Sequence, residues 1–161
     1  MAVSKVASRV RKGFTLIELI AVLVVLAILS GVALPKYIDY SERARTSSIQ
    51  GSLGGVRTAI ANFFANESID GNGRYPTLVE LTTVGGVMQE GIPANPYNGL
   101  TTVIAADDLQ AADRTVQTTV SGWCYYVDNA ADPPVAVFYA NTDDETRVQD
   151  DAGDYFTANE L

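Results

Sequence analysis

Few residues in this sequence could do chemistry. Its 161 residues include no histidine and one cysteine, Cys124, so a Ser-His-Asp triad, a Cys-His pair and an ordinary structural zinc site are excluded by inventory. One cysteine also forbids an intramolecular disulfide. No nucleophile-base pair and no phosphate-cradling glycine loop is apparent, which argues against an enzyme. Carboxylate chemistry remains, in two places. Asp143, Asp144, Glu145, Asp150, Asp151 and Asp154 near the C-terminus are hard oxygen donors that could hold calcium. Their spacing does not match an EF-hand loop, however, and charge runs are usually solvated surface. The other place is Glu18, the single ionisable residue in the run FTLIELIAVLVVLAILSGVAL at 14–34.

That run must position Glu18, and at 21 residues it is long enough to cross a bilayer as a helix. Lys5, Arg9, Arg11 and Lys12 precede it with no acidic residue among them. The positive-inside tendency therefore predicts a cytoplasmic N-terminus and a remainder outside the cytoplasm. Three readings of the run compete: a simple anchor, a secretory signal cut within Gly31-Val32-Ala33, and a leader removed ahead of the run. Glu18 separates them. An acidic residue at mid-bilayer costs on the order of 2 to 3 kcal/mol, so it marks a function or a partner. Ordinary signal cores rarely carry one, and Pro35 follows the small-x-small pattern closely.

The segment Lys12-Gly13-Phe14-Thr15-Leu16-Ile17-Glu18-Leu19 resembles the processing motif of type IV prepilins and the related secretion pseudopilins. A short basic leader, a glycine, a phenylalanine, a glutamate four residues on and an uninterrupted apolar helix all coincide. The resemblance implies that a prepilin peptidase cuts between Gly13 and Phe14 and that the new amino group of Phe14 is methylated. Gly13 suits such a cut, because its backbone is unshielded and flexible. The Phe14 ammonium then becomes a cation in an apolar setting, one helical turn from Glu18. Pairing within one chain is possible at that separation. Pairing of Glu18 with the Phe14 ammonium of a neighbour would also fix the axial stagger between subunits, and is the favoured reading.

Beyond the run, Pro35 removes a backbone donor and clashes with the preceding turn, predicting a kink or local melting. The helix is expected to resume, since Ile49, Leu53, Val56, Ile60, Phe63 and Phe64 recur at three- and four-residue spacings. Gly51, Gly54 and Gly55 weaken this stretch by about 1 kcal/mol each, which calls for close packing, flexibility or mere tolerance. After Phe64 helical periodicity gives way to turn-rich sequence, including Gly71-Asn72-Gly73. A short helical turn is expected over 77–81, with strands over 115–119, 123–127 and 135–140. The last two form a plausible antiparallel hairpin whose aromatics, Trp123, Tyr125 and Phe138 among them, belong to the core.

The expected fold class is α+β: a leader over 1–13, a long helix over 14–65 with a transmembrane or filament-core part at 14–34, and a small antiparallel head over 66–161. The resemblance implies a ladle-shaped pilin-like subunit. It implies a structural function, in which the processed subunit polymerises with copies of itself. Partners would be the prepilin peptidase, an assembly ATPase, a platform protein and, before assembly, inner-membrane lipid. The alternative is a major pseudopilin of a type II secretion system, forming a short periplasmic filament. A membrane-anchored binding protein or enzyme is more remote. Four of the 11 basic residues precede Gly13, so the remainder sets seven against 19 acidic ones and its net charge falls from −8 to −12. Such a surface repels phosphate backbones, and nucleic acid is not expected as a partner.

Overall fold

The computed structural model describes residues 13–161; Lys5, Arg9, Arg11 and Lys12, in the segment expected to be a leader, lie outside the described residues. By contacts the chain divides into a first unit ending at Asp39 and a second, Tyr40–Leu161. One helix, α1 (Leu16–Ile69), contributes to both. Its 54 residues correspond to about 80 Å of helix.

In the first unit α1 is almost wholly apolar, and its described residues are exposed up to Ile38. From Phe14, 85 % exposed, to Leu34, 60 % exposed, its large apolar side chains all face outward. Such a helix is suited to lipid or to partner helices rather than to water. It is long and apolar enough to cross a membrane. The helix runs unbroken through Pro35, so the local melting anticipated there does not occur. Pro35 lacks the N–H that would bond the carbonyl of residue 31. That residue is Gly31, whose backbone adjusts most readily.

In the second unit α1 becomes amphipathic. Thr46, Ile49, Leu53, Val56 and Ile60 are buried, at the spacing that lines one helical face. Phe63 and Phe64 are half-buried, and Phe64 stacks on Tyr75 with ring centroids 4.4 Å apart. α1 ends in a Schellman turn: Gly71 at φ 81°, with Asn72 N–H bonding Glu67 C=O at 3.0 Å and Gly71 N–H bonding Ser68 C=O at 3.2 Å. Glycine is favoured there because an L side chain rarely adopts that φ.

The remaining elements are α2 (Leu78–Thr82), β1 (Val103–Ala105), α3 (Asp108–Ala112), β2 (Trp123–Asp128), β3 (Val135–Ala140), β4 (Glu145–Gln149) and β5 (Tyr155–Thr157). The antiparallel β2–β3 hairpin matches the expected pair, in register from Trp123 opposite Ala140 to Asp128 opposite Val135. β1 adds in parallel on the free side of β2, after a crossover that contains α3. β4 and β5 form a separate antiparallel pair. The fold is α+β, with the 40–69 part of α1 packed on the small sheet. Ile49, Leu53, Val56 and Ile60 share one core cluster with Leu81, Trp123, Tyr125 and Phe138. The Trp123 and Phe138 rings lie 5.3 Å apart.

Two loops are fixed to this core by buried asparagines. Asn95 is fully buried; its Nδ2 donates to Gly122 C=O at 2.8 Å and its Oδ1 accepts from Tyr97 N–H at 3.0 Å. Gly122 has no alternative here, since a Cβ would come within 2.1 Å of Leu100 O. The second, Asn141, explains why residues 115–119 are a loop and not the strand the sequence suggested. The chain leaves α3 through Arg114 at φ 47°. Asn141 then takes the place of a partner strand: its Oδ1 accepts from Gln117 N–H at 2.7 Å, and its Nδ2 donates to Gln117 and Thr119 C=O at 3.3 and 3.0 Å. Backbone groups satisfied by a side chain need no ladder.

Candidate functional site

The start of α1 is organised by a threonine that the sequence reading passed over. Thr15 Oγ1 accepts from Glu18 N–H at 3.3 Å, while Glu18 Oε2 accepts from Thr15 N–H at 2.8 Å and from Thr15 Oγ1 at 2.7 Å. This reciprocal capping box satisfies two donors that a helix start otherwise leaves open. A Thr-x-x-Glu spacing ahead of an apolar run was the available signal. It also places an acidic side chain in the first turn, where the helix dipole favours it. Both contacts use one oxygen of Glu18. Among the described residues its Oε1 makes no hydrogen bond, and the carboxylate is presented to the exterior.

Gly13 and Phe14 precede the helix in exposed chain without regular structure. A Cβ built on Gly13 meets nothing within 4 Å. The three positions singled out by the sequence therefore sit together at one exposed helix start: Gly13 with open backbone, Phe14 with its ring outward, Glu18 with one oxygen uncommitted. Pro35 lies 17 residues further along the same helix and takes no part in the group.

The head presents its charges differently. Arg74 donates from Nε to Glu67 at 3.0 Å and through both terminal nitrogens to Glu80 at 2.8 and 2.9 Å, and it lies 5.1 Å over the Phe63 ring. Glu80 also closes a capping box with Thr77 on α2. Its carboxyl is lowered to about 2, by Arg74 first and then by the Thr77 amide and hydroxyl. This cluster ties the end of α1 to α2.

The C-terminal acids do not converge. Asp144 accepts from the Thr142 hydroxyl at 2.5 Å, and Asp150 Oδ1 accepts from two amides of the β4–β5 turn. Among the described residues no three metal-binding side chains gather at one point. Cys124 is buried, with its thiol pushed up chiefly by burial.

Residues 8–34 match the family described as the prokaryotic N-terminal methylation motif. Fimbrial protein EcpC of Eikenella corrodens is 38 % identical over 61 residues, covering 38 % of this chain and 40 % of that protein. Fimbrial protein Q of Moraxella bovis is 34 % identical over 93 residues, 51 % of this chain and 55 % of that protein. The type IV major pilin protein PilE1 of Neisseria gonorrhoeae is 39 % identical over 77 residues, 48 % of this chain and 42 % of that protein. The chain thus spans between two fifths and just over half of the length of these relatives. No solved structure matches it. The chain thus carries the prokaryotic N-terminal methylation motif over residues 8–34 and is similar, over part of its length, to fimbrial proteins and to a type IV major pilin protein.

Proposed function

We propose that this chain is the precursor of a filament subunit: a peptidase cuts between Gly13 and Phe14, the Phe14 amino group is methylated, and processed copies polymerise through their apolar helices. The observation that carries this is the exposed apolar surface over 14–34 with Glu18 as its single ionisable group. In the precursor the run spans the inner membrane with the leader on the cytoplasmic side, and in the filament copies of the same run replace lipid. An assembly ATPase and a platform protein would supply the work of extraction, and the filament would extend outside the cell.

Glu18 has two successive partners in this scheme. Before assembly Thr15 supplies two hydrogen bonds to Oε2, which reduces the cost of an acid at the membrane boundary. In the filament the free oxygen receives the Phe14 ammonium of a neighbouring copy, which sets the axial stagger. The relatives support a pilin over a pseudopilin, since those compared carry fimbrial or major pilin names. Glu18→Val tests the scheme. Precursor processing should remain near the wild-type level while sheared filaments fall at least about tenfold, the equivalent of roughly 1.4 kcal/mol. Wild-type filament yield from Glu18→Val would overturn the role given to Glu18.

A further inference from the structure

The sequence contains two Asn-Gly steps, Asn72-Gly73 and Asn98-Gly99. An Asn-Gly step is open to attack by its own backbone, because glycine carries no side chain to shield the amide nitrogen or to restrict its approach. That nitrogen can add to Cγ of the preceding asparagine. Attack needs an amide nitrogen free of hydrogen bonds, an asparagine side chain free to turn toward it, and access for water. The two steps are alike in sequence and differ in every one of the bonds that bear on this.

Asn98-Gly99 is closed to the reaction. Gly99 N–H donates to Asn95 C=O at 2.7 Å. Asn98 Nδ2 donates to Ser121 C=O at 3.0 Å, and Asn98 Oδ1 accepts from Leu100 N–H at 3.0 Å. Asn95, which anchors this loop, is fully buried. Attack at Asn98 therefore requires the nitrogen and both ends of the side-chain amide to give up their partners together.

Asn72-Gly73 is open. It follows the Schellman turn that ends α1, with Asn72 exposed and Gly73 half-buried at φ 22°. Among the described residues neither the Asn72 side chain nor the Gly73 N–H makes a hydrogen bond. The chain is nevertheless held on either side. Asn72 N–H donates to Glu67 C=O at 3.0 Å. Ahead, Asn129 Oδ1 accepts from Tyr75 N–H at 2.8 Å, and Asn129 Nδ2 donates to Tyr75 C=O at 2.9 Å. The Gly73 nitrogen is thus an unengaged nucleophile between two fixed points, beside an unengaged amide.

We propose that Asn72 is a site of spontaneous deamidation, with water as the co-reactant. The Gly73 nitrogen gives its proton to solvent and bonds to Asn72 Cγ; the Cγ–Nδ2 bond breaks, and the departing nitrogen takes up a proton to leave as ammonia. A succinimide ring results. Water opens it at either carbonyl, giving an aspartyl or an isoaspartyl residue at position 72, with no electron gained or lost. Either product puts a new carboxylate near Arg74 in the chain, where the guanidinium already serves Glu67 and Glu80. The isoaspartyl product also adds a carbon to the backbone that joins α1 to α2.

The test is peptide mapping by mass spectrometry of the full chain, incubated at mildly alkaline pH in water enriched in heavy oxygen, so that reaction during later handling carries no label. One sample is folded in detergent and a parallel one is unfolded in denaturant. In the unfolded chain both Asn-Gly steps should react at similar rates. In the folded chain Asn72 should go on reacting while Asn98 is slower than Asn72 by at least about tenfold, as expected when several hydrogen bonds must break first. The labelled product at position 72 should appear as paired aspartyl and isoaspartyl peptides. Folded rates at the two positions that agree within about twofold, or an Asn72 that stays intact when folded while reacting when unfolded, overturn the proposal. An aspartyl product alone means direct hydrolysis and overturns the attack by Gly73.

Discussion

Thr15 and Glu18 form the smallest unit on which the functional reading depends, and their geometry separates two roles of one carboxylate. Oε2 caps the helix, and Oε1 is left for a partner. Thr15→Ala removes the cap at a cost of about 1 kcal/mol, and also removes the donor that orients Glu18. Amide exchange in micelles should then accelerate over 16–19 while the rest of α1 is unchanged, and filament yield should fall. Unchanged exchange would mean that the cap does not hold the helix start.

Glu80 gives a second residue-scale prediction. Its folded pKa, about 2, lies below the ordinary value of 4.5, so its ionised form stabilises the fold above pH 4.5. That contribution is lost as pH falls toward 2. Glu80→Gln should therefore melt at a lower temperature than wild type near pH 7, with the gap closing between pH 4.5 and 2. A gap that does not change with pH would show that the Arg74 contact does not act through charge.

At the scale of elements, α1 is two helices in one run, and each half should respond differently to substitution. Leu53 is 2 % exposed in the core cluster, so Leu53→Ala should cost about 2–5 kcal/mol. Gly54 lies on the opposite, open side, where a Cβ meets nothing within 4 Å, and Gly54→Ala should stabilise the isolated subunit by about 1 kcal/mol. Denaturant unfolding of the detergent-solubilised chain measures both. A destabilising Gly54→Ala would mean that this glycine is more than tolerated.

The same contrast explains what could be read in advance. The apolar run, the buried stripe from Ile49 to Ile60 and the β2–β3 hairpin are periodic features, visible because each is fixed by local pattern. β1, β4 and β5 were not visible. β1 and β5 are three residues each, too short to show alternation, and β4 lies in a stretch whose acids dominate its reading. The strand expected at 115–119 failed because its backbone partners come from Asn141, a residue distant in sequence. Thr15 was legible as half of a Thr-x-x-Glu pattern, but Glu18 drew attention as a charge rather than as a cap.

At the scale of the molecule, basic and acidic groups are segregated along the chain. Lys5, Arg9, Arg11 and Lys12 all precede Gly13, and the proposed removal of that segment would leave a strongly acidic subunit. On the proposed function such subunits repel one another at long range, so assembly would need attraction that acts at contact: apolar helix against apolar helix, and Glu18 against an N-terminal ammonium. Intact-mass measurement of the protein recovered from cells and from sheared filaments tests the central claim most directly. The account predicts a chain that begins at Phe14 and carries one added methyl group; a chain that retains Met1 to Gly13 in assembled filaments would contradict it.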